Sequence, residues 1–199
     1  MKAADIRDRL LSPWRPGDHA DLRGIVCEGL LDLSGLDLCG ADFSGSSFPD
    51  GIQARGARFL GLSWFSGCMF GSGTDFSGAV FCSDARFEDS RFDGSLEFGG
   101  VEFRGIGRFD RMQARGTAGF SAIAAYGNFS LAGVRLSAPA DFRNSEWLGG
   151  LWCDNAHLPE RLDLDGAQVH GRLWLRGALT GNRAVPSTAF PLAYGYIYT

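Results

Sequence analysis

Ala85-Arg86-Phe87-Glu88-Asp89, Ser90-Arg91-Phe92-Asp93-Gly94, then Ser95: two five-residue units and a spacer, and the reading of the whole chain follows from that stretch. Phenylalanine holds the third position of both units. Outward from here, Phe59, Phe65, Phe70, Phe76, Phe81, Phe87, Phe92, Phe98, Phe103 and Phe109 are separated alternately by six residues and five. The eleven-residue period runs from Ile52 to Asn182 without slipping. Self-similarity at a fixed period takes precedence over local helix or strand signals, because a unit too small to bury its own apolar face folds only by stacking on its neighbours.

Call the third residue of each unit its centre. After Phe109 the centres continue as Ala114, Phe120, Ala125, Leu131, Leu136, Phe142, Trp147, Cys153, Leu158, Leu164, Val169, Leu175 and Thr180. A smaller residue lies two positions before each, as at Ala57, Cys68, Ala79, Ala85, Val101 and Ala167. Residues two apart on an extended segment share a face, so both positions point inward. From Ile52 to Asn182 no such position is charged, although 21% of the chain is. Where the centre shrinks to Ala114, Ala125, Leu131 or Cys153, its partner grows to Met112, Ile123, Phe129 or Leu151, the trade that a close-packed core demands. Glycine closes most units, and asparagine closes those ending at Asn144, Asn155 and Asn182. Both tolerate positive φ, so each unit is a short extended piece and a tight corner.

Units such as Ala41-Asp42-Phe43-Ser44-Gly45, Leu36-Asp37-Leu38-Cys39-Gly40 and Ala140-Asp141-Phe142-Arg143-Asn144 resemble the A(D/N)LXX motif of the pentapeptide-repeat family. The resemblance covers about four-fifths of the chain. It implies an all-β solenoid, a right-handed, four-sided parallel β-helix with four units per coil. The spacer after every second unit lengthens the coil from 20 residues to 22, with Leu62, Asp84, Ile106 and their equivalents expected to bulge at two opposite corners. Leu33, Leu38, Phe43 and Phe48 run in plain steps of five. A leucine-rich repeat is excluded because no longer leucine signature recurs, and a left-handed hexapeptide helix because the steps are not uniformly six.

Three segments result. Residues 1–19 form an N-terminal cap with a short amphipathic helix over Ala3 to Leu11, ended by Pro13. Residues 20–182 form the β-helix. Residues 183–199 leave the repeat, and Tyr194, Tyr196 and Tyr198 alternate as an edge strand would, serving as a C-terminal lid or as a strand for homodimerisation.

A net charge of −4 does not suit a direct nucleic-acid binder. Lysine occurs only as Lys2 against eighteen arginines, a bias expected of a high-GC bacterial genome. Cys27, Cys39, Cys68, Cys82 and Cys153 form no CxxC pair, and no signal peptide or membrane span is evident, so the expected compartment is the cytoplasm. No catalytic constellation, metal set or cofactor motif interrupts the array; His157 and His170 fall on opposite sides of the square. The expectation is therefore a protein that is not an enzyme and needs no cofactor.

Stacking four units per coil sorts the outward residue before each centre into four columns. The first is acidic: Asp32, Gln53, Asp75, Glu97, Gly119, Asp141, Asp163. The second runs Asp37, Arg58, Val80, Glu102, Ala124, Glu146, Gln168. The third runs Asp21, Asp42, Trp64, Arg86, Arg108, Ser130, Trp152, Trp174, with Glu88 and Asp110 placed to neutralise the two arginines. The fourth runs Val26, Ser47, Met69, Arg91, Gln113, Arg135, His157, Leu179. Partner-binding candidates are Asp32, Asp75, Glu97, Asp141 and Asp163, with Trp152 and Trp174. The expected role is a non-catalytic scaffold for a protein partner. The family resemblance adds an alternative, because some members bind DNA gyrase, a topoisomerase, as mimics of duplex DNA and protect it from gyrase poisons. Against this, Asp before a centre also caps the following turn through its own side chain. A third reading is a module held at a membrane surface by the aromatic tail.

Overall fold

Each side of such a tube has room for only two or three extended residues before the chain must turn, so order comes from stacking rather than from strand length. The computed structural model describes residues 1–71 and 73–199; Ser72, the last residue of one unit, lies outside the described residues. The chain is an all-β parallel solenoid, and among the described residues its short strands stack into four sheets, of seven, eight, nine and eight strands in winding order from Leu31. Phe81 sits over Phe103 and Asp75 over Glu97, a step of 22 residues, whereas Asp32 pairs with Gln53 in the plainer N-terminal coils, a step of 21. The four columns are the outward rows of the four sheets, called below the first to fourth faces, wound in that order.

The corners follow from backbone sterics. Gly56 and Gly78 adopt φ of 63° and 65°, and at equivalent corners Asp89, Arg111, Ala122, Asn144 and Asn155 take positive φ despite having a Cβ. The spacers stand at the two opposite corners but stay in the ladder. Ser95, Thr117 and Pro139 accept from Thr74, Leu96 and Ala118 N–H, and Asp84 and Ile106 accept from Ser63 and Ala85 N–H. Ladder direction alternates: on the first and third faces each coil donates toward the C-terminal end, while on the second and fourth it donates toward the N-terminal end.

Inside, the centres stack ring on ring. Phe70 and Phe92 lie 4.3 Å apart at 3°, Phe65 and Phe87 4.9 Å apart, and Phe76, Phe98, Phe120 and Phe142 continue another column at 5.0 to 5.3 Å. Rings on adjacent sides meet edge to face at some corners, as at Phe87 and Phe98, a favourable quadrupole arrangement, and tilted at others, as at Phe87 and Phe92. The columns break where the sequence trades volume. Phe129 reaches in over Gly107, where a Cβ would meet its ring at 2.6 Å, and fills the space left by Leu131. Inward serines are satisfied locally: Ser90 and Ser145 donate to the Phe87 and Phe120 carbonyls, both at 2.6 Å.

The helix spans Ala3–Leu10 and lays Ile6 and Leu10 on the N-terminal mouth of the tube. Asp5 in its first turn and Arg9 in its last suit the helix dipole. Cys39 N–H donates to the Leu10 carbonyl, and Cys39, which faces outward because it follows the centre Leu38, is buried beneath the helix.

The tail departs from the expected single edge strand. Arg183–Ala184 folds back antiparallel on Leu179–Thr180, Val185 and Phe190 plug the C-terminal mouth, and the chain then rejoins the solenoid. Leu192–Ala193 pairs with Gln168–Val169 on the second face, and Ile197–Tyr198 with Leu173–Trp174 on the third. The step here is 24 residues, because the hairpin and plug absorb two more than a regular coil. Between them Gly195 crosses so close to the Gly171 carbonyl that a Cβ would collide with it, which breaks any continuous Tyr194–Tyr198 strand.

Candidate interaction faces

On the first face, Asp32, Gln53, Asp75, Glu97, Gly119, Asp141 and Asp163 stand in register, one per coil. Their carboxylates serve the backbone first. The Oδ1 atoms of Asp32, Asp75, Asp141 and Asp163 accept from the N–H two residues on, at Ser34, Ser77, Arg143 and Asp165, over 2.8 to 3.0 Å. This is an Asx-type turn in every coil that carries aspartate. Arginines then cover part of the stripe. Arg55 donates to Asp75 at 2.5 Å, and Arg143 contacts Asp141 at 2.8 Å and Asp163 at 3.4 Å. Asp75, expected to be presented outward, is buried as a result. Burial pushes its carboxyl up, but the bonds from Ser77 and Arg55 outweigh that and hold it below the usual range. The bonds from Arg143 do the same for Asp141.

Glu97 differs from its neighbours. Its longer side chain makes no turn bond and folds over Gly119, where a Cβ would strike Oε2. Burial, and then the charges of Asp75 and Asp141, raise its carboxyl above the ordinary value. Beside Gly119 a concavity of about 530 Å³ opens, running from Glu97 and Ser121 past Pro139 and Asp141 to Arg161 and Asp163.

The third face carries a polar chain and an aromatic end. Ser66 donates to Glu88 at 2.9 Å, Arg108 contacts Glu88 at 3.5 Å and Asp110 at 2.5 Å, and Ser130 hydrogen-bonds Asp110. The expected pairing of Arg86 with Glu88 does not form. The Arg86 guanidinium lies 5.4 Å over the Trp64 ring instead, a cation–π contact that leaves Glu88 to Arg108. Trp152 and Trp174 pair one coil apart, as their column requires. Trp174 is covered by Tyr198, stacked at 3.9 Å and 8°; Trp152 has no such ring over it, and both tryptophans are partly buried.

No group of three or more His, Cys, Asp or Glu among the described residues could hold a metal. Cys68 and Cys153 are core groups whose thiols burial pushes up to about 12, unsuited to nucleophilic work at neutral pH. Among the described residues no helix is long and apolar enough to cross a membrane. Sequence reasoning missed two features here, the notch at Gly119 and the return of Leu192 and Ile197 to the solenoid. The second had a faint signal, a pair of two-residue apolar pieces five apart, masked by the 24-residue step.

A family model described as pentapeptide repeats (9 copies) matches residues 54–102, and no curated protein matches the chain.

Proposed function

Because the chain is a pentapeptide-repeat protein, we propose that it is a non-catalytic scaffold that binds a protein partner along the outward faces of its rod. The observation that carries this reading is the unbroken strand register on all four faces, which holds side chains of neighbouring coils in straight, rigid rows. Pre-ordered side chains lose little entropy on binding, and an outward, partly buried tryptophan on such a row has the character of an interface anchor. The candidate contacts are Trp152 on the third face, with Asp32, Glu97 and Asp163 on the first.

Affinity capture from the native host, with wild type and with Trp152→Ala and Glu97→Gln/Asp163→Asn variants, tests it. Expected is a defined partner that one of the two variants loses at least tenfold while its melting temperature does not fall. A partner set identical for all three proteins, or none, overturns the reading.

A second reading, a mimic of duplex phosphates that binds a topoisomerase, is supported by the in-line carboxylates of the first face. Arg55 and Arg143 work against it, since they cancel charge on the same row. A gyrase supercoiling assay with and without a quinolone separates the two, and no effect at micromolar protein removes the mimic.

A further inference from the structure

The four faces do not end alike. On the first and third faces each coil donates its N–H groups toward the C-terminal end, so the last coil of each presents donors there. On the third face the tail satisfies them, Leu173 donating to the Tyr196 carbonyl and Leu175 to that of Tyr198. On the second face Tyr194 N–H donates to the Val169 carbonyl, and beside the fourth Val185 N–H donates to that of Ala178. The first face receives nothing. Its sheet stops at Leu162–Asp163, one strand short of its neighbours. One coil below, Ala140 and Phe142 donate to Arg161 and Asp163; among the described residues no carbonyl accepts from Leu162 or Leu164.

We propose that this gap is a slot for an extended peptide segment of a partner protein, which adds the missing strand above Leu162–Asp163. The slot is a concavity of about 370 Å³, walled by half-buried Leu162 and Leu164 on one side and by Thr188, Ala189 and Pro191 of the plug segment on the other. Its geometry asks for carbonyls two residues apart and an apolar side chain between them, the ordinary terms of strand addition. Glu160 and Asp165 stand at the rim without an ion pair among the described residues, which favours basic residues on the outward side of the incoming strand.

A second copy of the chain does not fill the slot end to end. The edge is recessed by one strand beneath Leu192–Ala193 and Ile197–Tyr198. Two such recesses brought face to face, with their protruding strands in contact, leave three strand spacings, ~14 Å, between their donors. Only a protruding segment reaches them. The slot is read through backbone donors at the end of the first face and not through the outward side chains along the rod, so its failure leaves the scaffold reading untouched.

The probe is the acetylated, amidated peptide Ser-Ala-Lys-Phe-Lys-Asn-Ser, which copies the inward alternation of the repeat and places lysines outward. Amide hydrogen exchange is followed by NMR at Leu162 and Leu164, with Ala140 and Phe142 as internal reporters of an intact fold. At millimolar peptide, exchange at Leu162 and Leu164 slows by about tenfold or more. Ala189→Arg, which fills the slot, abolishes that protection and leaves Ala140 and Phe142 unchanged. Unaltered exchange with peptide, or protection that survives Ala189→Arg, overturns the proposal. So does protection that grows with protein concentration in the absence of peptide, accompanied by a doubled mass in light scattering, which makes the occupant a second copy.

Discussion

The middle of the rod and its C-terminal end are built from the same unit and held by different means. Between Phe59 and Phe120 most coil sides contribute a phenylalanine, and each ring packs against the ring one coil away and the ring around the corner. Past Phe142 the centres are Trp147, Cys153, Leu158, Leu164, Val169, Leu175 and Thr180, no column of rings survives, and the mouth is stopped by Phe190, 6.2 Å from Trp147. In a stack where each coil touches only its neighbours, local stability follows local packing, so the middle is the stable body and the end the part that opens.

The sharpest way to break that contrast is to remove a ring from the middle. Phe98 is fully buried and touches Phe76 and Phe120 at 5.0 and 5.3 Å, with Phe87 and Phe109 edge-on. Phe98→Ala costs about 3 to 5 kcal/mol in denaturant unfolding, because rigid neighbouring coils cannot collapse into the cavity. Half-exposed Leu164, at the same position on its unit, loses no more than about 2 kcal/mol on Leu164→Ala. Equal losses at the two positions would remove the gradient.

Next in size is the plug. Phe190→Ala withdraws the tail ring that stops the mouth of the tube and uncovers Leu162, Leu164 and Trp147, which line the small apolar void beneath it. The expected loss is about 2 to 3 kcal/mol, felt first as faster amide exchange at Leu173, Leu175 and Tyr194, with Phe87 and Phe98 amides little changed. Exchange that accelerates evenly along the rod would mean the coils open as one unit.

This same contrast marks what could be read from the amino acids. The inward rows, the four columns and their register follow from one arithmetic fact, the alternation of five and six, and strand pairing places Asp75 over Gln53 and Trp152 over Trp174 as that arithmetic requires. A periodic signal fails where the period does. The hairpin at Arg183–Ala184 and the plug add two residues to the last turn, so Leu192 and Ile197 fall out of phase with the columns they join. On the surface, a column assigns direction but not partner. It placed Arg86 beside Glu88, yet Trp64 one coil below offered the guanidinium a desolvated ring, and Glu88 turned to Arg108. It placed Asp75 outward, but the turn bond from Ser77 and the reach of Arg55 buried it. Direction is a property of the backbone period, whereas pairing depends on side-chain lengths across a gap of one coil.

A smaller effect tests the corners of the middle. Ala122 holds φ at 53° in a position that glycine fills in most units. Ala122→Gly relieves that strain and loses only a methyl group at an accessible corner. Stability rises by up to about 1 kcal/mol, net of the greater freedom of the unfolded chain. A loss of similar size would show that the neighbouring coils, not the residue, set the corner.

Acid gives the finest comparison, because neighbouring carboxylates of one stripe answer it in opposite senses. Asp32, Asp75 and Asp141 have folded carboxyls held below the usual range, so their contribution is complete above the unfolded value of about 3.9 and disappears as pH falls through the folded values. Glu97 is raised by burial and by Asp75 and Asp141, so its ionised form weakens the fold above its folded value, and that penalty is gone once pH is below about 4.3, the ordinary glutamate value. Glu97→Gln therefore stabilises at pH 7 by a few tenths of a kcal/mol, a gain kept small by solvent screening at a partly exposed site, and the gain shrinks to nothing by pH 4. Urea midpoints of the two proteins between pH 4 and pH 8 make the measurement. A difference that does not vary with pH would assign the effect to the shape of the side chain over Gly119 and not to its charge.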